Sequence, residues 1–321
     1  MRAVQITSLD GPSAVKVVEV DEPRGDGQVV VEVHAAGVSF PEVLQTRGLY
    51  QVKPELPFVP GSEVAGVVRS APEGASVRPG DRVAAFPGLG GFAEVVTAPP
   101  TAVFPLPDEV SFEAGAALPM NYLTVHFALT RRGGLRAGET VLVHGAAGGV
   151  GTAAVQLARA LDARVLAVTS SPEKGEVARA AGAHEVVPAD GFLARVEELT
   201  GGAGVDMVVD PVGGDRFTDS LRSLAPEGRL LVIGFTGGEI PTVRVNRLLL
   251  NNIAVVGVGW GAFWTRRPEY LQEQWAELLP LLREGRIDPV LGSVHPLGEA
   301  AAAITELDER RATGKVLLAV R

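Results

Sequence analysis

A glycine-rich turn is the part of the sequence whose residue types and spacing point most directly to chemistry. It lies in VLVHGAAGGVGTAAVQL, residues 141–157. The apolar run predicts a buried strand that ends at His144, and the alanine-rich stretch predicts a helix that begins near Gly149. A helix that starts directly after such a turn presents unpaired N–H groups and the positive end of its dipole. The turn therefore predicts an anion-binding site, with phosphate as the natural ligand.

The glycine spacing narrows this anion to the pyrophosphate of a dinucleotide. Gly148 and Gly151 match the second and third glycines of a G-x-G-x-x-G fingerprint, and Ala146 stands at the first position. Tight packing of a helix on a strand also requires glycines, so the turn alone leaves both interpretations open. Its place in a run of alternating strands and helices favours a dinucleotide. We expect the cofactor to contact the turn at Ala147, Gly148, Gly149, Val150 and Gly151.

The residues after the second predicted strand indicate which dinucleotide binds. The strand RVLAV, residues 164–168, is followed by TSSPEK with no acidic residue at the strand tip. NAD sites usually place an Asp or Glu there for the ribose 2′-OH, whereas NADP sites lack that charge. The Ser170 hydroxyl and the Lys174 ammonium therefore predict a 2′-phosphate site and NADPH as the cofactor. The alternative is that Ser170 only caps the next helix and that Lys174 is solvated.

The elements that position these residues change character along the chain. Up to about residue 105, short apolar strands alternate with Gly and Pro turns, which predicts an antiparallel, barrel-like domain. Its one predicted helix is SFPEVLQTRG, with Ser39 as the N-cap and Gly48 at its end. From about Ser111, six apolar strands alternate with amphipathic helices, which is typical of an α/β, doubly wound parallel sheet. A tail from about Gly261 should return to the first domain.

Composition excludes several other classes of function. The net charge of −9 disfavours a nucleic-acid surface, and the absence of cysteine removes disulfides and thiolate chemistry. The N-terminal residues MRAVQITSLDG have no apolar core typical of a signal peptide, and no run of about 20 apolar residues could span a membrane. These features predict a folded, soluble protein of the cytoplasm.

The motifs in combination resemble a known family. GVSFPEVLQTRGLY, FVPGSEVAGVV, HGAAGGVG, SSPEKGEVARAAGA, DPVGG, LLVIGF and GKVLL occur in the order found in the zinc-independent quinone oxidoreductases, the zeta-crystallin-like branch of the medium-chain dehydrogenase/reductase superfamily. The resemblance implies a GroES-like domain, residues 1–122 completed by 261–321, and a Rossmann domain, residues 123–260. It further implies NADPH in a cleft between them, reduction of quinones by two-electron or one-electron transfer, and a homodimer.

The same resemblance places several residues in the site. It implies that Thr124 and Val125 lie under the nicotinamide, that Gly234 and Phe235 line the cofactor groove, and that Tyr50 faces the substrate. The Tyr50 phenol could donate a hydrogen bond to a developing oxyanion or only shape the pocket. Trp260, Phe263 and Trp264 in GWGAFW could stack on a planar quinone or only pack at a domain junction.

Zinc alcohol dehydrogenases share this fold, but the sequence differs from theirs at the positions of the zinc ligands. Those enzymes have a Cys and a His as zinc ligands, and the corresponding positions of this chain look like Ser39 and Ser62. Neutral hydroxyls are poor Zn²⁺ ligands. We therefore expect no zinc, and without a Lewis acid, alcohol oxidation loses its usual mechanism. Glu63 is then expected to pair with an arginine.

Two departures concern the quinone oxidoreductases themselves. Ser39 replaces their usual Asn, which bears on how a quinone is oriented, and Ala189 replaces a Tyr near the 2′-phosphate, which weakens discrimination against NADH. Two other functions stay open. One is NADPH-dependent reduction of the C=C bond of enones or enoyl thioesters, with Arg266 and Arg267 meeting a CoA phosphate. The other is an NADPH-binding protein with little turnover.

Overall fold

The computed structural model describes residues 1–321 throughout and has an α/β fold. The strands are β1 (Arg2–Ile6), β2 (Val15–Glu19), β3 (Val29–Val38), β4 (Glu63–Ser70), β5 (Arg82–Ala85), β6 (Val95–Ala98), β7 (Val103–Pro105), β8 (Thr140–Val143), β9 (Arg164–Thr169), β10 (Glu185–Pro188), β11 (Val205–Asp210), β12 (Leu224–Val232), β13 (Ala254–Gly257), β14 (Leu291–Pro296) and β15 (Lys315–Ala319).

The α-helices are α1 (Phe40–Gln45), α2 (Phe112–Ala116), α3 (Thr124–His126), α4 (Gly149–Ala160), α5 (Pro172–Ala180), α6 (Phe192–Thr200), α7 (Phe217–Arg222), α8 (Asn246–Asn251), α9 (Trp260–Trp264), α10 (Tyr270–Arg283) and α11 (Ala300–Asp308). Two π-helical segments, Pro119–Leu123 and Phe127–Arg132, flank α3. None of the helices has both the length and the apolar composition that crossing a bilayer requires.

By their internal contacts the residues form two compact units. Unit 1 comprises 1–121, 268–276 and 289–321, and unit 2 comprises 122–267 and 277–288. The chain therefore leaves unit 1 and returns to it, and helix α10 contributes residues to both units.

Unit 1 is the β-rich, GroES-like unit. Its main sheet has the order β14-β15-β3-β4-β5-β7, with β6 paired to β3, and β1 and β2 form a separate antiparallel pair. Strand β3 is long and largely buried because its valines and alanines meet partners on both sides, β4 and β15. The pairing of β15 with β3 shows that the end of the C-terminal tail returns to the first unit, whereas residues 261–267 and 277–288 of the predicted tail belong to unit 2.

Unit 2 is built on a six-stranded parallel sheet of order β10-β9-β8-β11-β12-β13, which confirms the predicted Rossmann-like sheet. The continuous apolar strands are buried because helices cover both faces of such a sheet. The strand order reverses between β8 and β11. In open parallel sheets, ligands bind at the carboxyl ends of the strands beside such a reversal, so this edge is the expected binding edge of unit 2.

Candidate functional site: a dinucleotide turn and a buried ionic cluster

The glycine-rich turn connects β8 to α4 in unit 2. The residue that makes the sharp turn is Gly145, with φ of 59°, and not the neighbouring Ala146. Only glycine adopts this left-handed conformation without steric cost. A Cβ on Gly151 would lie 2.1 Å from the Gly145 carbonyl oxygen, so Gly151 lets the helix pack directly on the turn. Backbone conformation therefore explains the glycine at 145, and close packing explains the glycine at 151.

Gly148 is different, because packing does not require it. It is the N-cap of α4, its φ of −85° suits any residue, and no side chain caps the helix. A Cβ built on Gly148 would meet only the Gly145 carbonyl oxygen, at 3.6 Å. The space in front of Gly148 is thus open, and the first N–H groups of α4 lack a side-chain partner. This is the arrangement that accepts a pyrophosphate.

The predicted 2′-phosphate residues follow β9. Ser171, rather than Ser170, caps helix α5, since its Oγ accepts the Lys174 backbone N–H at 3.3 Å. The alternative assignment of Ser170 as the cap is therefore wrong. Ser170 is exposed and the Lys174 side chain is half-buried. At the neighbouring strand end, the Ala189 N–H donates to the Thr169 carbonyl oxygen at 2.8 Å.

Two further loops of unit 2 lie at the same sheet edge. After β11, the Asp210 carboxylate accepts hydrogen bonds from the Val212 and Gly213 N–H groups, each at 2.9 Å. After β12, Phe235 packs against Gly213, where a Cβ would come within 2.9 Å of its ring. Phe235 and the adjacent Gly234 are half-buried. The structure thus brings the predicted residues of the IGF turn to the edge that carries the glycine turn.

Thr124 and Val125 lie in α3, which packs against α4. Val125 is fully buried, whereas Thr124 is half-buried. The next residue, His126, contacts the Glu277 carboxylate through Nε2 at 2.9 Å. Burial lowers the pKa of His126, and the nearby Glu277 partly offsets this change. Thr124 is therefore the residue of this segment that keeps an accessible polar side chain.

His144, the last residue before the glycine turn, is buried. Its Nε2 contacts the Ser220 Oγ at 2.8 Å, and burial lowers the pKa of the imidazole to about 4. A neutral, buried imidazole tied to a neighbouring helix has a structural role.

Unit 1 carries a cluster of buried polar side chains around the N-terminus of α1. Ser39 is the N-cap, and its N–H donates to Glu42 Oε2 at 2.8 Å, as in a capping box. The other oxygen of that carboxyl, Oε1, accepts the hydroxyl of Ser62 at 3.0 Å. Glu42 is 1% exposed, and both serines are buried as well.

An ammonium and a second carboxylate complete this cluster. Lys315 donates to Ser39 Oγ at 2.5 Å and forms an ion pair with Glu63 Oε1. Glu63 also accepts the Ser39 hydroxyl at 3.2 Å and the Met120 N–H at 2.7 Å. The expected partner of Glu63 was an arginine, and the structure corrects this to Lys315. Gly37 leaves room for the carboxylate, because a Cβ there would lie 2.7 Å from Glu63 Oε1.

Burial has a large effect on the ionisation of this cluster. It raises the pKa of Glu42 to about 7, although Lys315 and the hydrogen bonds from Ser39 and Ser62 act in the opposite direction. Glu63 adds to the increase. The pKa of Tyr50 is also raised, first by burial and then by the charge of Glu42, and its side chain is half-buried. Tyr50 therefore stays a neutral phenol at physiological pH.

The donors of this cluster do not fit a zinc ion. Ser39 and Ser62 supply neutral hydroxyls, and the Lys315 ammonium already occupies the cationic position between Ser39 and Glu63. Zinc prefers thiolate, imidazole and carboxylate, and an adjacent buried cation opposes its binding.

The aromatic segment after β13 forms a surface in unit 2. The Phe263 ring lies 5.1 Å from the Phe127 ring, and the Arg131 guanidinium stacks on it at 4.5 Å from the centroid. The Arg267 guanidinium is 5.7 Å from the same centroid, and both Arg266 and Arg267 are exposed. A cavity of about 690 Å³ adjoins Phe127, Arg131 and Phe263. Trp260 and Trp264 pack on each other, with their ring centroids 5.9 Å apart.

Three residues of these sites were not predicted from the sequence. Glu42 could have been found, because Ser39 and Glu42 form the S-x-x-E pattern of a capping box. Gly145 directly precedes the assigned fingerprint. Lys315 lies 276 residues from Ser39 along the chain, and no local pattern identifies such a partner.

Comparison with known proteins agrees with this architecture. Residues 25–108 match the family model of the alcohol dehydrogenase GroES-like domain, and residues 149–284 match that of the zinc-binding dehydrogenases. Quinone oxidoreductase-like protein 2 of Bos taurus is 39% identical over 324 residues, covering 100% of this chain and 93% of the relative.

Two solved structures are also similar. A probable oxidoreductase from Mycobacterium abscessus is 46% identical with a TM-score of 0.92, covering 100% of this chain and 99% of its own. The quinone oxidoreductase from Thermus thermophilus, also solved with NADPH, is 39% identical with a TM-score of 0.86, covering 100% of both chains. A GroES-like unit joined to a Rossmann-like unit is the architecture of the medium-chain dehydrogenases and reductases. Within that superfamily the chain belongs to the zinc-independent quinone oxidoreductase family.

Proposed function

We propose that this protein is an NADPH-dependent, zinc-independent oxidoreductase that reduces quinones. The observation that carries the proposal is the buried cluster of Ser39, Glu63 and Lys315, in which an ammonium takes the cationic position. In the zinc alcohol dehydrogenases of this fold, oxidation of an alcohol relies on a metal that stabilises the alkoxide. A quinone is electron-poor and accepts a hydride without such help. The quinone oxidoreductases among the relatives support this choice of acceptor.

The cofactor is held by unit 2 in this proposal. When bound, NADPH supplies the hydride. The N-terminus of α4, from Gly148 to Gly151, binds the pyrophosphate because the N–H groups of this helix end lack a side-chain partner. Ala147, which directly precedes Gly148, also contacts the cofactor. Gly234, Phe235 and Thr124 line the remainder of the cofactor site, and Ser170 and Lys174 contact the 2′-phosphate. The NADPH-bound relative from Thermus thermophilus supports this cofactor.

Unit 1 serves the acceptor. Ser39 and Tyr50 are the polar side chains that line the acceptor site. The Tyr50 phenol is the neutral donor for the quinone oxygen, since the Ser39 hydroxyl already donates its one hydrogen to Glu63. Tyr50 suits this role because its raised pKa keeps the phenolic proton in place. The hydroxyl of Ser39 is polarised by the Lys315 ammonium that donates to it. In this proposal the protein is a homodimer. Its other partner is the small-molecule acceptor, and the protein binds neither nucleic acid nor a membrane.

Replacing Lys174 by alanine tests the choice of cofactor. We expect NADPH binding to weaken by about 1 to 3 kcal/mol, the range for a lost charge-assisted hydrogen bond, while NADH binding is unchanged. Fluorescence titration of each cofactor measures both effects. The control is Arg179→Ala on the same helix, since Arg179 is exposed and paired with Glu176. An equal loss for NADPH and NADH in Lys174→Ala would contradict contact with the 2′-phosphate.

A further inference from the structure

Glu42 is a buried acid that the proposed function leaves without a chemical role. It lies on α1 with both carboxyl oxygens hydrogen-bonded, one to the Ser39 N–H and the other to the Ser62 hydroxyl. The charged and titratable groups around it are Lys315 from β15, Glu63 from β4 and Tyr50, which follows α1. Two carboxyl groups and one ammonium are therefore enclosed together, so one carboxyl lacks a cationic partner of its own.

The route by which a proton can leave Glu42 is narrow. Glu42, Glu63 and Lys315 are 1%, 0% and 3% exposed, whereas Ser62 and Ser39 are 5% and 7% exposed. The Ser39 hydroxyl is already used by Glu63 and Lys315. Ser62 is the hydroxyl in contact with the Glu42 carboxyl. Proton exchange between Glu42 and a group outside the cluster therefore passes through the Ser62 oxygen.

A serine hydroxyl has one hydrogen and two acceptor positions, so its contact with Glu42 has two forms. With Glu42 ionised, Ser62 donates its only hydrogen to Oε1. With Glu42 protonated, the acid donates to Ser62 Oγ, and the Ser62 hydrogen is released to a third group. Protonation of Glu42 thus converts Ser62 into an available donor.

Reduction of a quinone to a hydroquinone requires a hydride, which carries two electrons, and one additional proton. We propose that Glu42 holds this proton and delivers it to the acceptor oxygen through the Ser62 hydroxyl. This inference rests on the proposed function. In the step, the Ser62 O–H bond breaks and its proton joins the oxygen of the reduced acceptor. The Glu42 O–H bond breaks at the same time and restores the Ser62 hydroxyl. Glu42 is left as a carboxylate and regains a proton from solvent.

The ionisation of Glu42 suits this role. Burial raises its pKa to about 7, so at neutral pH both the acid and the carboxylate are populated. A group that gives and regains a proton in each turnover works best when its pKa lies near the working pH. Because the acid form is depleted as pH rises through about 7, proton delivery is expected to fall across that window.

The first test follows the carboxyl itself and needs no turnover. In infrared pH titrations of the cofactor-free protein, the wild type is expected to show a protonated-carboxyl band that disappears with a midpoint near pH 7. Glu42→Gln is expected to lack that band. The control Glu94→Gln removes a carboxyl of the same unit whose pKa is lowered by Arg2, so the band should persist. A spectrum without a titrating band near neutrality overturns the proposal.

The second test is the pH dependence of quinone reduction. Glu42→Gln preserves the size of the side chain and its acceptor for the Ser39 N–H, but it has no transferable proton. At pH values below 7, we expect the kcat of Glu42→Gln to be about 100-fold lower than that of the wild type. Its kcat should also be independent of pH across the range in which the kcat of the wild type declines. Ser62→Ala is expected to show the same flat profile, although it keeps the Glu42 band. Unchanged pH dependence in Glu42→Gln contradicts the proposal.

Failure of this inference is distinct from failure of the proposed function. If the wild type reduces no quinone, the proposed function is wrong, and the infrared titration alone decides whether Glu42 holds a proton. If the wild type reduces quinones and both variants keep its pH profile, the function stands and the proton route through Ser62 is wrong.

Discussion

Lys315→Met is expected to destabilise the protein by about 3 to 5 kcal/mol, the range for breaking a buried ion pair by removing one partner. The variant leaves the fully buried Glu63 without its cation and removes a donor to Ser39. Methionine fills nearly the same volume, so the effect reports charge rather than a cavity. Urea denaturation of each variant measures the free energy of unfolding.

Two further variants control this result. Lys53→Met changes an exposed lysine of the same unit and should alter the free energy of unfolding by no more than about 0.5 kcal/mol. The double variant Lys315→Met with Glu63→Gln removes both charges and should recover part of the loss, because no unpaired charge of that pair remains buried. A loss of less than about 1 kcal/mol in Lys315→Met would show that the ion pair does not hold this cluster.

Gly148→Val is expected to abolish NADPH binding while the fold remains intact. The valine side chain would occupy the open space before the first N–H groups of α4, where the pyrophosphate is proposed to lie. The backbone conformation at position 148 is allowed for valine, and a Cβ there would meet only the Gly145 carbonyl oxygen, at 3.6 Å. We expect at least a 100-fold loss of affinity, about 2.7 kcal/mol, by fluorescence titration.

Gly151→Ala provides the contrast for this prediction. A Cβ at Gly151 would lie 2.1 Å from the Gly145 carbonyl oxygen, so this smaller substitution should lower the thermal midpoint of unfolding where Gly148→Val does not. If Gly148→Val binds NADPH as tightly as the wild type, the pyrophosphate does not bind at this turn.

Local sequence patterns predicted the parts of the fold and site that depend on neighbouring residues. The strand–turn–helix around Gly148 and the N-cap at Ser39 are encoded within a few residues, and the structure contains both. The same is true of the six parallel strands of unit 2. In each case hydrophobic periodicity and backbone conformation are set by the segment itself.

The rest depends on groups that are distant in sequence or on small differences in geometry. Lys315 meets Glu63 only because β15 returns to β3, and neither residue signals the other. Ser170 and Ser171 are equivalent candidates for capping α5 until the backbone shows which one accepts the Lys174 N–H. The perturbed pKa of Glu42 arises from burial by the assembled unit. These features require the tertiary structure.

The most direct measurement of the central claim is the oxidation of NADPH by the purified protein with a panel of acceptors. The panel contains 1,4-benzoquinone, 9,10-phenanthrenequinone, 2-cyclohexenone and crotonyl-CoA, each repeated with NADH. We predict turnover with the quinones and a preference for NADPH, which would make Ser39 a functional replacement for the usual Asn. Selective turnover of the enone or thioester, or binding of NADPH without turnover of any acceptor, would contradict the proposed function.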